Sequence, residues 1–254
     1  MRHTTIILLF SAAVALSACG SAPVPAPAPP TAAAKHVDPA TAGSLSGRVT
    51  FAGPRPAPEK MRVTADPVCI QALGGNATSD SIVIADDGSV ANAFVYIKDP
   101  LSDYAFDMPS KPVALDQNGC RYSPRVIGVR VGQAIDISNS DATLHNVHAL
   151  PMINGEFNKG QPIQNSHMLQ VFTAPEVMVR FKCDVHGWMT AYAGVMAHPF
   201  FAVTGPDGAF SMKGLPPGSY ELSAWHEKFG ASSQTVTIAP EQAQTANFAL
   251  SAAK

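Results

Sequence analysis

The chain has 254 residues, of which 46% are hydrophobic and 14% charged, with a formal net charge of −2. That length supports one large β domain or two smaller ones, and the apolar fraction is ample for a core. With no basic cluster and no basic helix, the composition excludes nucleic acid as a partner.

The first residues read as a secretory leader over 1–18. Arg2 and His3 precede the apolar run Ile6 to Leu16, which is too short to span a membrane. Its ending, Leu16-Ser17-Ala18-Cys19-Gly20, resembles a bacterial lipobox. The resemblance implies lipidation of Cys19 and a protein held in the periplasm by a lipid anchor on a bacterial membrane. The alternative is an ordinary leader cut near Ala18 with Cys19 incidental. Residues 19–44 then form a Pro/Ala-rich tether, with prolines at 23, 25, 27, 29 and 30 that fix φ and remove donors. At ~3.1 Å per residue, the roughly 20 residues after Cys19 reach about 60 Å.

From Leu45 onward the signals are strand and turn. Leu45 to Phe51 is broken by Gly53-Pro54, and Ser81 to Ala85 with Val90 to Lys98 flank Asp86-Asp87-Gly88 as a hairpin. Arg125 to Val131 stops at Gly132-Gln133, and Ala134 to Ser138 alternates before the turn Asn139-Ser140-Asp141. No helical stripe occurs outside the leader. The expectation is an all-β chain, a sandwich with Greek-key connections.

The next strand signal is Val177, Val179, Phe181 and Cys183, alternating with Met178, Arg180 and Lys182; that period turns all four inward. His186 and Met189 follow as Cys-x2-His-x2-Met, and Leu144-His145-Asn146-Val147 supplies a second imidazole upstream. Thiolate, imidazole and thioether are soft donors that select copper over magnesium, calcium or manganese. Zinc could use His145, Cys183 and His186, but Met is a poor zinc ligand and no fourth conventional ligand is in sight.

Of the four cysteines, Cys19 is assigned to lipid and Cys183 to metal. Cys69 and Cys120 remain, most simply as a disulfide in an exported protein, with two free thiols as the alternative. Closing a loop of ~50 residues would stabilise the fold by roughly 2–4 kcal/mol.

After residue 198 the chain reads Thr204-Gly205-Pro206-Asp207-Gly208, Gly214-Leu215-Pro216-Pro217-Gly218, Tyr220 to Trp225, Gln234 to Ile238 and Ala246 to Leu250. Its Asp-Gly-x-Phe and Leu-Pro-Pro-Gly-Ser-Tyr-x-Leu strings resemble the carboxypeptidase regulatory-like (prealbumin-like) module. This implies a second, smaller β-sandwich over 199–254 with no catalytic residues; the alternative is a plain extension of the first domain. Few strands fit in so short a segment. Residues 45–108, in particular Leu45 to Phe51 and Ala91 to Lys98, could complete it, leaving 112–198 as the core of a copper domain over 45–198.

The strand ending Gly132-Gln133, the turn at 139–141, His145-Asn146-Val147-His148 and the Cys-His-Met loop together resemble a cupredoxin, with the ligand spacing of amicyanin, over roughly Pro112 to Met196. The resemblance implies a blue-copper site of His145, Cys183, His186 and Met189, carried on two loops from different sheets. It further implies that Asn146 ties the His145 loop to the Cys183 loop. Asp184 stands where the family usually has Ser or Thr, and Gly187 where amicyanin-like loops have proline, so the loop is less preorganised. His148 is expected to face away from His145. Met152, Met168, Met178 and Met196 are expected to fill core or rim. Trp188 is expected either on an apolar docking rim or packed against its own loop.

Functionally, this predicts a membrane-anchored shuttle carrying single electrons between periplasmic redox partners. The other readings are a copper carrier or buffer and a structural or carbohydrate-binding surface lipoprotein. An enzyme is not expected, because the chain lacks His-x-His, a triad pattern, a phosphate loop and a nucleotide motif.

Overall fold

The computed structural model describes residues 34–64, 66–74 and 77–252. The leader, Cys19 and the proline-rich stretch up to residue 33 lie outside them. Backbone pairing starts at Lys35, whose N–H donates to the Asp103 carbonyl at 2.7 Å and whose carbonyl accepts from Ala105 N–H at 2.8 Å.

In chain order the elements are β1 (Gly43–Phe51), α1 (Pro67–Leu73), β2 (Phe94–Ile97), β3 (Val113–Gln117), β4 (Tyr122–Ser123), β5 (Val126–Arg130), β6 (Ala134–Asn139), β7 (His145–Leu150), β8 (Phe157–Gln161), β9 (Ser166–Val171), β10 (Glu176–Lys182), β11 (Thr190–Met196), β12 (Phe201–Val203), β13 (Ala209–Leu215), β14 (Gly218–His226), β15 (Gly230–Ile238), β16 (Ala243–Thr245) and β17 (Phe248–Leu250). The described residues are therefore all-β except for one helix of seven residues, which the absence of a helical stripe did not foretell. The signals for that helix are local. Asp66 caps it by accepting from the Val68 and Cys69 N–H groups, proline stands at its first position, and Gly74 follows it at positive φ. Among the described residues no helix is long and apolar enough to cross a membrane.

Two sandwiches result. One packs the sheet β5-β11-β10-β7-β8 on the sheet β4-β3-β6-β9 around Leu115, Ile135, Ile137, Val147, Val179 and Phe181. The other packs β13-β1-β16, with β17 also on β1, on β12-β2-β14-β15 around Leu45, Val49, Val95, Leu222, Val236 and Ile238. Strands β1 and β2 precede the first sandwich in sequence but pair with β13 and with β12 and β14, so residues 113–196 lie between partners of the second sandwich. The turn at Asp86–Gly88 is present, with Gly88 N–H donating to Ala85 O at 3.0 Å. Its expected arms shrink to a single Ile84–Val90 bridge, because Val90 N–H is taken by Val49 of β1 and Phe94–Ile97 pairs elsewhere.

The sandwiches meet through a notch. Gly128 of β5 and Gly194 of β11 are register partners, and a Cβ on Gly194 would stand 2.2 Å from the Phe94 ring, one on Gly128 2.3 Å from the Phe201 ring. Glycine there lets both rings lie directly against the backbone, where they join Val126 and Met196 in a small shared core. Beside it, Arg125, just ahead of β5, pairs with Glu227, just past β14, and with Asp80.

Two inward-facing expectations fail. Val177 is 40% exposed, because the β10–β11 register shifts between Glu176 and Val179 and the alternation is broken before it reaches the buried Val179, Phe181 and Cys183. Met152 is 96% exposed on the turn after β7, so it fills neither core nor rim.

Candidate metal centre

His145 opens β7, and Cys183 follows directly on β10. The segment 183–189 is a tight connection into β11, in which Met189 N–H donates to His186 O (2.9 Å) and Cys183 N–H donates to Met189 O (3.2 Å). Strand β7 pairs antiparallel with β10, Lys182 opposite His148, which brings the start of one alongside the end of the other. Both ligand loops thus hang from one sheet, not from two as the family resemblance suggested; β10 is simply the neighbour of β7.

All four expected ligands are closed off from solvent: His145 0%, Cys183 1%, His186 2% and Met189 1% exposed. The donor atoms of His145, Cys183 and His186 lie within 4.8 Å of one another. The two imidazoles face each other through Nδ1 at 2.9 Å, and the Cys183 Sγ is 3.9 Å from His186 Nδ1. Asn146 N–H points at that sulfur from 3.4 Å. Met189 lies in the same buried cluster as Cys183.

The far side of each ring is also occupied. His145 Nε2 is 2.9 Å from Asp141 Oδ2, and His186 Nε2 is 3.1 Å from Asp66 Oδ2. A carboxylate only accepts, so each ring gives its proton at Nε2 and presents a bare lone pair at Nδ1. With both Nε2 atoms engaged by carboxylates, the two facing Nδ1 atoms and the Cys183 sulfur form a donor set that a metal ion fits. Burial holds His145 below the usual histidine range against the opposing pull of Asp141, which keeps that lone pair free.

Asn146 is the bridge between the loops: its Oδ1 accepts from Asp184 N–H at 2.5 Å and its Nδ2 donates to Asp184 Oδ2 at 3.3 Å. The Asp184 carboxylate faces outward and is shared by Lys182 (2.7 Å), Asn158 (2.8 Å) and His148 (2.9 Å). The Lys182 hydrogen bond, with the other donors, holds it well below the usual carboxylate range. His148 faces away from His145, lying between Asp184 and Glu156. The single hydroxyl proton of Tyr122 is shared between the carbonyls of Asn146 (2.8 Å) and Lys182 (3.2 Å), stitching the two ligand strands from the opposite sheet.

The Cys69–Cys120 disulfide is present, with Cα atoms 5.5 Å apart. Trp188 is half-buried; its ring lies 5.1 Å from that of His186, its Nε1 donates to Cys120 O at 2.9 Å, and its other edge lines a polar cleft of about 680 Å³ with Arg62 and Arg180. It packs on its own loop and also reaches the surface. Asp66, Asp141 and Thr143 belong to the site but were not expected in it. Asp141 reads as a turn residue, and Asp66 could have been found as a helix cap beside Cys69, though not as a partner of His186, 120 residues away.

Residues 190–251 match the carboxypeptidase regulatory-like domain, a match that begins inside β11, ahead of the boundary at 199 expected from the motifs. No curated protein matches the chain. Among solved structures, the copper-containing nitrite reductase from Thermus scotoductus SA-01 is similar at 20% identity and TM-score 0.31, over 38% of this chain and 24% of that one. A purple cupredoxin from Nitrosopumilus maritimus is similar at 18% identity and TM-score 0.29, over 33% of this chain and 98% of that one. A Cu(I) form of an amicyanin variant is similar at 20% identity and TM-score 0.30, over 40% and 97%. At these scores the function rests on the residues themselves; the chain carries a carboxypeptidase regulatory-like segment, and its structural neighbours are cupredoxins.

Proposed function

We propose that the protein is a mononuclear type 1 copper protein that carries single electrons, with His145, Cys183 and His186 as the residues that would hold the copper most strongly and Met189 as a weaker fourth donor. The observation that carries this is the convergence of two Nδ1 lone pairs and one thiolate in a solvent-free pocket that also holds a buried thioether. Copper supplies a one-electron Cu(I)/Cu(II) couple when bound. The chain's own part is to hold three donors in a fixed array that changes little between the two charges. Asn146, Tyr122 and the strands β7 and β10 do this, and burial of all four ligands leaves no opening for a substrate, which suits a carrier better than a catalyst.

The leader and Cys19 support export and lipid anchoring in the periplasm, where the partners would be soluble or membrane redox proteins. Trp188, which lines the cleft together with Val185, Arg62 and Arg180, is the point of approach for them. The full chain titrated with Cu(II) should show an intense thiolate-to-copper band and a small parallel hyperfine splitting, both reversibly bleached on reduction and lost in Cys183→Ser. A pale, ordinary Cu(II) spectrum indifferent to Cys183→Ser would sink the reading.

A further inference from the structure

The two carboxylates behind the imidazoles are joined to each other. Asp66 Oδ1 accepts from the N–H groups of Val68 (2.9 Å) and Cys69 (3.2 Å), and its Oδ2 accepts from Thr143 Oγ1 (2.7 Å) and His186 Nε2. Asp141 accepts from the N–H groups of Gly119 (2.8 Å) and Cys120 (2.8 Å) as well as from His145 Nε2. Each carboxylate therefore grips one imidazole and the backbone of one half-cystine, and the Cys69–Cys120 bond closes the figure. The Cys69 sulfur itself lies 3.6 Å from His186 Nε2. The circuit runs His145, Asp141, Cys120, Cys69, Asp66, His186 and back across the facing Nδ1 atoms. The clusters Asp66–Cys69–His186 and Cys120–Asp141–His145 look like metal-binding groups by proximity, but each has its sulfur locked in the disulfide and so has no thiolate to offer.

We propose that the Cys69–Cys120 disulfide, with Asp66 and Asp141, is the positioning frame of the metal centre, so that breaking the disulfide loosens both imidazoles together. The proposal rests on the copper reading for its consequence, but its geometry stands without it. Asp66 and Cys69 come from the stretch between β1 and β2, which adds no strand to the sandwich holding the ligands; besides the chain itself, the disulfide is what attaches α1 covalently to that sandwich, on whose core Val63 and Leu73 also pack. The stretch lies over the outer edge of His186 as a tethered cap. A dithiol reductant would open it: two electrons and two protons convert the S–S bond into two thiols while the reductant becomes a disulfide. With the bridge gone, the closure entropy of the 51-residue loop no longer favours the capped state, and Asp66 keeps only its hydrogen bonds. Retention of the metal is then tied to the thiol–disulfide poise of the compartment.

The test uses the full chain and two readouts. In the metal-free protein, nitrogen NMR should find a slowly exchanging Nε2 proton on both His145 and His186. Asp66→Ser, which still caps α1 but is too short to reach the ring, should free the His186 proton, and so should dithiol treatment. In the copper-loaded protein, Asp66→Ser and Cys69→Ser/Cys120→Ser should each speed Cu(II) loss to a chelator by roughly 10–100-fold. The triple variant should be little faster than either, because both act on one frame. Thr143→Val, which removes one donor to Asp66, gives a milder version should the others unfold, with the melting temperature as the fold control. An unchanged His186 Nε2 proton in Asp66→Ser or after reduction would overturn the frame, as would fully additive copper loss. Because the NMR needs no copper, failure of the copper reading would show separately, as a wild type with no thiolate-to-copper band.

Discussion

Arg125→Ala should be the most damaging single substitution outside the cores. The guanidinium places Nη1 2.6 Å from Asp80 Oδ1 and Nη2 2.9 Å from Glu227 Oε2, with Nε bonded to Glu227 as well. The Arg125 and Glu227 side chains are 7% and 6% exposed, whereas Asp80 is 32% exposed and has Arg121 at 3.1 Å as a second partner. Removing the arginine leaves the Glu227 carboxylate, its side chain 6% exposed, without its charged partner on the wall of the polar cleft. An uncompensated buried charge costs about 3–5 kcal/mol. For a body of this size that corresponds to a fall of about 6–20 °C in melting temperature. Arg125→Met/Glu227→Leu removes both charges and should recover at least half of the loss, since a buried ion pair stabilises little over apolar groups of similar volume. Urea unfolding of the wild type, both single variants and the double variant completes the cycle. A cost below ~1 kcal/mol for Arg125→Ala, or a double variant as unstable as the single one, would refute the claim that this pair is desolvated where the two sandwiches meet.

Two further outcomes follow from the packing. His226 is 1% exposed, stacked on Phe229 at 4.4 Å, and burial with the nearby Arg125 charge pushes it down to about 4. The unfolded chain therefore takes up that proton first on acidification: its contribution is intact above pH ~6.5 and is lost as pH falls from there to about 4, roughly 3 kcal/mol in all. The acid limb of a pH–stability curve should be shallower in His226→Phe by that amount, and equal slopes would contradict it. At the notch, Gly194→Ala drives a Cβ into the Phe94 ring and should cost about 1–3 kcal/mol, with partial rescue by Phe94→Leu; a neutral Gly194→Ala would mean the sandwiches are not in contact there.

The sequence made legible whatever is set by short-range chemistry. The period of two around Val179 and Phe181, the turn at Asp86–Gly88 and the soft spacing Cys183, His186, Met189 are each written within about ten residues; the first two read directly onto the structure, and the third brings Cys183 and His186 together with His145. Cysteine arithmetic paired Cys69 with Cys120 across 51 residues only because the other two had other uses. What could not be read depends on contacts between distant segments. The pairing of β1 with β13 and the slip of register that exposes Val177 are decided by neighbours. Seven residues of α1 are too few to show a helical period, and only its Asp66-Pro67 start and Gly74 stop marked it. Asp141 looked like a turn former and is one, with Asn139 Oδ1 accepting from its N–H; its grip on His145 adds a second role that composition cannot announce.

The arrangement of the ligand loops explains why such a frame is needed. Since β7 and β10 are neighbours in one sheet, the sheet supports His145 and Cys183 from a single side. The loop carrying His186 has glycine at 187, where an added Cβ would meet nothing within 4 Å, so neither crowding nor a proline ring stiffens it. Under the proposed copper reading, a site that keeps its geometry through a change of charge needs support from the other side as well. No strand of either sheet reaches it, for the opposite sheet contributes Tyr122 to the backbone of the ligand strands and nothing to the imidazoles. The stretch containing α1, the β3–β4 turn at Gly119–Cys120 and Asp141 on the β6–β7 connection supply that support, and the disulfide ties the first two together. Cross-linking them is the economical solution: one S–S bond fixes both, and each then orients one ring through a single carboxylate. The strain-free alternative, a proline in the loop, would stiffen His186 but leave His145 unattended, whereas the disulfide acts on the two ligands at once.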